Sequence, residues 1–350
     1  MQATTKLDGL QCGRAVAALM VAVFHANVFL LPAKFYDGQG AGAIFGFGYA
    51  GVEFFFVLSG FIMMFVHGRD LGHPDKVGTF LSKRILRIYP IYWIILTVLL
   101  LLYVLSPGSG PQHAQDPIAI LASYLLFPQP DNGPIMRVAW TLQHEMLFYL
   151  IFATLLINLR LGIALSAVWV CGCLAVLVSG VDTAYPVGFI LKSHNLLFLF
   201  GVAVGAVVRR VPQSMARICF WGGALAFASL GAFESLNDAP LPEAWMPIPY
   251  GVASAFIIIG LANGGMPAPR WLTLLGDASY AIYLVHMPTM TIAAVFIARS
   301  GLHHILHPLA MLGLILLLVS VVGVFVHRAV EKPLLSYFKR RASPIVKAQI

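Results

Sequence analysis

The side chains best suited to chemistry in this sequence are two ionisable residues inside its first apolar segment, residues 10–31. Arg14 and His25 stand eleven residues apart, so in a helix they share one face and lie about 16 Å apart along the axis. Burying such groups in hydrocarbon costs several kcal/mol, and they usually mark a functional site that faces a protein interior or a watery cavity. We expect the arginine to hold an anion and the histidine to act as a general base near neutral pH.

Small apolar residues occupy the helix face between these two groups. The stripe consists of Ala15, Ala18, Val21 and Ala22. Because these side chains are short, we expect the stripe to leave room beside the helix for a long, thin ligand. Such a ligand would be anchored by Arg14 at one end and attacked near His25 at the other.

Two carboxylates are predicted at the membrane depth of His25. Glu53 lies near the outer end of the second apolar segment, and Glu145 lies near the outer end of the fourth. Glu145 shares a helix face with His144 and Tyr149, because their spacing follows the helical repeat. Either carboxylate could orient the imidazole and stabilise its cation. For Glu53 the alternative is a structural ion pair or a protonated, hydrogen-bonded carboxyl group.

A basic run of Lys83, Arg84 and Arg87 precedes the third apolar segment. Arg84 and Arg87 are three residues apart, so a helix projects them from the same side. With Lys83 beside them and Arg14 at the same membrane level, they would form a phosphate clamp, since guanidinium groups offer paired donors to phosphate oxygens. The alternative is the ordinary accumulation of cations at the cytoplasmic end of a membrane span.

Histidines near the end of the chain are candidates of a different kind. Ser279, Tyr283 and His286 follow helical spacing, with His286 near the predicted bilayer middle. A single buried histidine is more often a hydrogen-bonded structural residue than a catalyst. The cluster of His303, His304 and His307 lies in a short, exposed segment without carboxylates, so we expect no metal site.

The composition is that of an integral membrane protein. The chain has 350 residues, of which 59% are hydrophobic and 10% charged, whereas soluble domains are roughly 25% charged; the mean hydropathy is +0.86. A membrane crossing needs about 20 mostly apolar residues, and the period-two alternation of a membrane barrel is absent. We therefore predict an all-α, polytopic membrane protein of about ten transmembrane helices in one domain, residues 1–350. The ten windows are about 12–31, 47–67, 88–106, 139–158, 161–180, 190–208, 217–234, 246–263, 278–298 and 308–327.

The basic residues predict the orientation of these helices. With a cytoplasmic amino terminus, eighteen of the 22 lysines and arginines fall on the cytoplasmic side and four on the other, as the positive-inside rule requires. Both termini are then cytoplasmic, and residues 328–350 form a basic cytoplasmic tail. The net charge of +8 is thus a topology signal, and we expect no nucleic-acid partner.

Five ordered motifs in the chain resemble those of acyltransferase family 3. The likeness extends over nearly the whole sequence and is strongest to the short acetyltransferases of exopolysaccharide production. Glu53 stands where many members have aspartate, a change of one methylene group. The motifs are Arg14 and His25 with ten residues between them, Gly-Val-Glu-Phe-Phe-Phe-Val-Leu-Ser-Gly-Phe at 51–61, Arg-Ile-Leu-Arg-Ile-Tyr-Pro at 84–90, Trp-Thr-Leu-Gln-His-Glu-Met-Leu-Phe-Tyr at 140–149, and Ser-Tyr-Ala-Ile-Tyr-Leu-Val-His-Met-Pro at 279–288.

This resemblance implies a multi-pass enzyme of the bacterial inner membrane, which moves an acetyl group from cytoplasmic acetyl-CoA to a hydroxyl of an exported or cell-surface carbohydrate. His25 would act either as general base or as the carrier of an acyl-histidine intermediate. Acetyl and succinyl transfer both stay open, as do the acceptor and the oligomeric state. The predicted catalytic residues are His25, Glu145 and Glu53. The predicted donor-binding residues are Arg14, Lys83, Arg84 and Arg87. The predicted acceptor contacts are His144, Tyr149, Tyr283 and His286.

Two other classes of function also fit polar groups in membrane helices. A carbohydrate or lipid transporter would retain translocation after His25→Ala better than an acyltransferase would retain activity. It gives no reason for arginines below the histidine, and the internal repeats typical of transporters are not visible. A non-catalytic component of a polysaccharide-synthesis complex would tolerate His25→Ala.

Overall fold

The computed structural model describes residues 5–106, 110–130, 133–237, 241–263 and 268–341, with side chains from Asp8 to Arg340 in these ranges. Within these ranges the regular elements are helices, and no strand occurs. The predicted all-α class is therefore confirmed. The ten longest helices are α1 (Thr5–Phe24), α2 (Gly51–His67), α3 (Val77–Leu105), α4 (Trp140–Ile157), α5 (Leu159–Ser179), α6 (Asn195–Val207), α7 (Gln213–Leu236), α8 (Pro247–Ala262), α9 (Ser279–Ser300) and α10 (Pro308–Val326).

Nine helical stretches of the described chain are long and apolar enough to cross a membrane. They correspond to nine of the ten predicted windows, so the chain is a multi-pass membrane protein. The remaining window is α8, which has 16 residues and is about 24 Å long, shorter than a hydrocarbon core of about 30 Å. The cytoplasmic placement of the termini stays a prediction, as does the single domain.

The chain divides into two compact units. The first unit comprises Met1–Phe65 and Leu197–His327, and the second comprises Val66–Leu196 and Arg328–Ile350. The first unit contains α1, most of α2 and of α6, and α7 to α10, while the second contains α3, α4 and α5.

Small residues allow the helices of the first unit to pack closely. A methyl group at Gly60 of α2 would lie 1.9 Å from the carbonyl oxygen of Phe198 in α6, and one at Gly51 would lie 2.4 Å from that of Ala17 in α1. Ala18 and Ala22 belong to a core cluster that includes Ile282 of α9 and residues of α10.

The predicted space along the α1 stripe is absent. Ala15, Ala18, Val21 and Ala22 are each no more than 1% exposed. The prediction of room for a ligand there is wrong, because short side chains let neighbouring backbones approach and fill the space themselves. In this protein the stripe is a helix-packing surface.

A π-helical segment, His25–Leu30, follows α1 directly. Its wider turn is visible in the hydrogen bond from the Leu31 amide to the carbonyl of Ala26, five residues earlier. Pro32 comes next; it has no amide hydrogen to donate, but it is tolerated in the first turn of the short α-helix that follows, Leu31–Lys34. Such wide turns are frequent at functional sites, and this one begins at His25.

Asn27 attaches this π-helical segment to the following loop. The side chain is 5% exposed. Its oxygen accepts hydrogen bonds from the amides of Ala41 (2.6 Å) and Gly42 (3.3 Å), and its nitrogen donates to the carbonyl of Gly42 (3.0 Å). The Asn27 side-chain amide therefore attaches the segment that carries His25 to this loop through both its oxygen and its nitrogen.

The second unit contains the short apolar run between α3 and α4. The sequence predicts a short re-entrant or surface helix over residues 118–127, and a helix occupies Pro117–Tyr124. Aromatic side chains of α3 hold its end: Tyr92 donates to the carbonyl of Ser123 at 2.7 Å, and Trp93 to that of Tyr124 at 2.8 Å. The basic tail also begins as a helix, Lys332–Arg341.

Candidate active site

The predicted site residues fall into both compact units. Of these residues, the first unit contains Arg14, His25, Glu53, Tyr283 and His286. The second unit contains the other six, which are Lys83, Arg84, Arg87, His144, Glu145 and Tyr149.

His25 and His286 are neighbours in the first unit. Their ring centroids lie 5.0 Å apart, with 56° between the ring planes. The two residues come from α9 and from the start of the π-helical segment, 261 positions apart in the sequence. The histidine that the sequence singles out thus faces a second histidine of the protein interior.

Both imidazoles are fixed by backbone carbonyls of their own helices. The Nδ1 of His25 donates to the carbonyl of Val21 at 2.8 Å, and the Nδ1 of His286 donates to that of Tyr283 at 2.7 Å. Because a carbonyl oxygen can only accept, the Nδ1 atoms carry the hydrogens, and a neutral ring then has its lone pair on Nε2. Each ring is thus prepared to accept a proton at Nε2.

The surroundings of the two histidines differ. His286 is 1% exposed, and its Nε2 is buried without a hydrogen-bond partner in the part of the chain that the structure describes. His25 is half-buried, with Phe24 and Phe29 at 5.2 and 5.8 Å between centroids. Tyr283 packs against His286 (5.8 Å). The lone pair on Nε2 of His286 can accept a hydrogen bond, and a hydroxyl group of a substrate is a suitable donor for it.

Glu53 lies in an acidic and phenolic cluster of the same unit. Its side chain is 1% exposed, and it lies within electrostatic range of the Tyr49 and Tyr250 hydroxyls. These two tyrosines donate to opposite oxygens of Glu234, at 2.8 and 2.7 Å. Glu234, Tyr49 and Tyr250 are absent from the sequence-based candidates, and no local pattern in the sequence pairs them.

Arg14 lies half-buried on α1. Its Nη1 donates to the side-chain oxygen of Gln11 at 3.3 Å, one turn earlier. Helix α1 runs from Thr5 to Phe24, and His25 begins the π-helical segment that follows it.

In the second unit, Arg84 stands over two aromatic rings. Its guanidinium carbon is 6.0 Å from the centroids of both Phe80 and Tyr149. The Tyr149 hydroxyl donates to Oε1 of Glu145, one turn earlier on α4. Of the predicted residues of α4, Tyr149 therefore contacts Arg84 of α3 directly, and Glu145 is linked to it through the Tyr149 hydroxyl. Lys83 and Arg87 lie half-buried on the same helix.

His144 has the contacts of a structural residue. It is 2% exposed, its Nδ1 donates to the Asn195 side-chain oxygen at 2.9 Å, and its ring stacks on Phe189 at 4.3 Å. Asn195 in turn donates to the carbonyl of Ile190. The predicted contact of His144 with the acceptor stays a prediction.

A histidine that the sequence-based analysis missed lies at the end of α2. The Nδ1 of His67 is 2.8 Å from Oδ2 of Asp70, and its ring meets Phe80 edge-on at 5.1 Å. The signal available in the sequence was a His-Gly-Arg-Asp turn directly after an apolar segment.

The chemistry available is therefore of two kinds. The first unit offers two imidazoles with basic nitrogens next to aromatic rings, and it also contains two carboxylates beside tyrosine hydroxyls. The second offers cationic side chains around an aromatic centre. Among the residues that the structure describes, no three His, Cys, Asp or Glu side chains are grouped to hold a metal ion.

Comparisons with known proteins show the family to which the chain belongs. The family model described as an acyltransferase domain, acyltransferase family 3, matches residues 7–328. The exopolysaccharide production protein ExoZ of Rhizobium meliloti is 32% identical over 318 residues, 86% of this chain and 94% of the relative. BcsY of Komagataeibacter xylinus, which its name describes as a membrane-bound transacylase, is 26% identical over 374 residues, 95% of this chain and 83% of the relative. No solved structure matches the chain significantly.

Proposed function

Because this chain belongs to acyltransferase family 3 and is an acyltransferase, we propose that it moves an acetyl group from acetyl-CoA to a hydroxyl of an exported or cell-surface carbohydrate. The names of two relatives support this proposal. ExoZ is a protein of exopolysaccharide production, and the name of BcsY describes a membrane-bound transacylase. The bacterial inner membrane, in which a cytoplasmic donor can meet an exported acceptor, is the proposed location.

The observation that carries the proposal is the fixed imidazole of His25. Its Nδ1 hydrogen is bound to the Val21 carbonyl, so its Nε2 is the atom that can take a proton. In the proposed reaction the hydroxyl oxygen attacks the thioester carbonyl carbon while its proton passes to this Nε2. A C–O bond forms, the C–S bond breaks, and CoA leaves as the thiolate, which receives the proton.

Two carboxylates are candidates for stabilising the resulting imidazolium. Glu53 belongs to the same compact unit as His25, whereas Glu145 belongs to the other. A carboxylate near an imidazole both orients the ring and stabilises its cation. Whether Glu53 or Glu145 does so is decided by Glu53→Gln and Glu145→Gln: the variant with the larger loss of kcat identifies the partner of His25.

The donor phosphates are proposed to bind the cationic residues of α3. Arg84 presents a guanidinium above two rings, and Arg87 projects from the same helix face one turn later. Lys83 adds a third cation. Guanidinium groups match phosphate oxygens in charge and geometry. Arg14 is proposed to hold an anionic part of the donor within the first unit.

The proposed function is tested with the purified protein in lipid nanodiscs. Radiolabelled acetyl-CoA is the donor, and surface polysaccharide from a gene-deletion strain is the acceptor. We expect label to enter the polysaccharide, and His25→Gln to reduce the rate about 100-fold to 10,000-fold. The matched control is His304→Gln, an exposed histidine whose replacement should leave the rate unchanged.

This assay and a vesicle transport assay separate the competing functions and mechanisms. Equal rates for His25→Gln and the wild type would contradict the role of His25, and no incorporation above the protein-free background would contradict acyl transfer and favour a non-catalytic role. Unacetylated carbohydrate that crosses a vesicle membrane only when the protein is present would favour a transporter. Label that stays on the protein without acceptor would indicate an acyl-histidine intermediate instead of direct transfer.

A further inference from the structure

The turn after α2 contains an aspartate–histidine pair. His67 is the last residue of α2, and its Nδ1 lies 2.8 Å from Oδ2 of Asp70. The turn itself is held by the Asp70 amide, which donates to the carbonyl of His67 at 2.9 Å, and by the Gly72 amide, which donates to the carbonyl of Leu155 in α4 at 3.0 Å. Gly72 has a φ of +76°, which glycine adopts without strain. The pair is therefore part of an anchored turn.

One nitrogen of His67 lacks a hydrogen-bond partner among the residues that the structure describes. The Asp70 carboxylate accepts, so the Nδ1 of His67 carries a hydrogen. The opposite atom, Nε2, is buried and has no hydrogen-bond partner within the described ranges, and the residue as a whole is 4% exposed. Buried polar atoms almost always have partners, and the exceptions often indicate a site for an absent ligand or water.

A second buried atom without a hydrogen-bond partner among the described residues belongs to a side chain near the same aromatic ring. The Nε of Arg84 is buried and has no hydrogen-bond partner in the described part of the chain. The guanidinium carbon is 6.0 Å from the Phe80 centroid, and the His67 ring meets Phe80 edge-on at 5.1 Å. Helix α3 and the turn after α2 thus bring two incompletely bonded nitrogen groups together around Phe80.

The charge of this group is positive. The charges of Arg84 and Lys83 act on the His67 imidazole, and Asp70 supplies one negative charge. A ligand that fits must therefore carry negative charge and offer oxygen atoms to N–H donors, which are the properties of a phosphate group.

We propose that His67, held by Asp70, joins Arg84 in a phosphate-binding site for the nucleotide part of the acyl donor. The inference rests on the proposed function, because it assumes that the donor is a CoA thioester. A bound phosphate stabilises the protonated imidazole, whose Nε2 hydrogen then bonds a phosphate oxygen. Asp70 is a positioning residue, which fixes the ring and balances its charge from the Nδ1 side.

The test measures equilibrium binding of CoA to the full chain in nanodiscs. We expect His67→Gln to weaken CoA binding about 10-fold or more, since a charge-assisted hydrogen bond is lost. Asp70→Asn should weaken it by a smaller factor. His73→Gln is the matched control, because His73 is an exposed histidine of the same turn and its replacement should leave the affinity unchanged.

A second ligand separates a phosphate contact from a general disturbance of the fold. Acetyl-pantetheine lacks the nucleotide and its phosphates, so its turnover at high concentration should be equal in His67→Gln, Asp70→Asn and the wild type. A parallel loss with both ligands would overturn the proposal in favour of a purely structural pair. The 3′-dephospho form of CoA identifies the group bound: a His67→Gln effect confined to CoA assigns the 3′-phosphate, and an effect on both forms assigns the diphosphate.

Two further results would overturn the inference in distinguishable ways. If the wild type binds CoA and His67→Gln binds it equally well, the site is wrong while the proposed donor stands. Loss of bound anionic lipid from that variant, seen by native mass spectrometry with unchanged CoA affinity, would assign the site to a lipid headgroup. A wild type that binds no CoA would overturn the donor and this site together.

Discussion

Replacing His286 with glutamine tests which of the two neighbouring imidazoles takes the proton. The rings lie 5.0 Å apart, so either Nε2 could serve a hydroxyl placed between the helices. We assign proton transfer to His25 and the holding of the hydroxyl to His286. A glutamine side chain has nearly the reach of histidine, and its oxygen can still accept a hydrogen bond, although it cannot act as a base near neutral pH.

The expected magnitude follows from the hydrogen bonds involved. His286→Gln loses the bond to the Tyr283 carbonyl, 2.7 Å long, and weakens the contact with the hydroxyl; each is worth about 0.5–1.5 kcal/mol net. Part of the free energy lost with the bond to Tyr283 lowers the stability of the fold and does not slow catalysis. Because 1.36 kcal/mol corresponds to a tenfold change in rate, we expect kcat/KM for the acceptor to fall about 3-fold to 30-fold.

The assay is the initial rate of acetyl transfer at saturating acetyl-CoA, measured for His286→Gln, His25→Gln and the double variant. A base contributes about 100-fold or more, so His25→Gln should be far slower than His286→Gln. In the double variant we expect a fold-loss of rate smaller than the product of the two single fold-losses, because the effects of residues in contact are usually coupled. The assignment is refuted if His286→Gln loses over 100-fold in kcat while His25→Gln retains most of its activity.

Two further predictions concern the packing and the π-helical segment around His25. Gly60→Ala should lower the midpoint of thermal unfolding by several degrees, because its methyl group would lie 1.9 Å from a backbone oxygen of Phe198. The control Gly222→Ala should not lower the midpoint, because no atom lies within 4 Å of the added methyl group. Equal midpoints for the two variants would contradict the packing described for Gly60. Asn27→Ala leaves the amides of Ala41 and Gly42 without their side-chain acceptor, so we expect the free energy of unfolding to fall by about 1–3 kcal/mol and kcat to fall as well. Unfolding in detergent measures the first effect and the acetyl-transfer rate the second. Unchanged values for both would show that the loop does not support His25.

Periodicity and composition predict the helices of this protein well. Apolar windows of membrane-spanning length locate nine of the long helical stretches, and helical spacing correctly places Glu145 and Tyr149 within one hydrogen bond of each other. These features depend on residues close together in the sequence, so a regular repeat is sufficient to predict them. The pairing of His25 with His286 is not predicted, because spacing alone does not indicate which helices are adjacent.

The features that the sequence does not reveal have different physical causes. The stripe of Ala18 and Ala22 was interpreted as a channel, but small residues serve close helix packing equally well, and the choice depends on neighbours far along the chain. The bonds from Tyr49 and Tyr250 to Glu234 span 185 and 16 residues. Asn27 and His67 act through a π-helical segment and a turn, whose geometry breaks the helical repeat on which the prediction relied.

The tether between Nδ1 of His25 and the Val21 carbonyl has a consequence for the second half of the proposed reaction. A ring held in this way cannot release a proton from its far side, since that nitrogen already has its hydrogen committed to the backbone. A proton that arrives at Nε2 must therefore depart from Nε2. One atom is then the acceptor in the attack and the donor when sulfur leaves, so the alcohol and the thiol must reach the same edge of the imidazole in turn, and no separate acid is needed to complete the turnover.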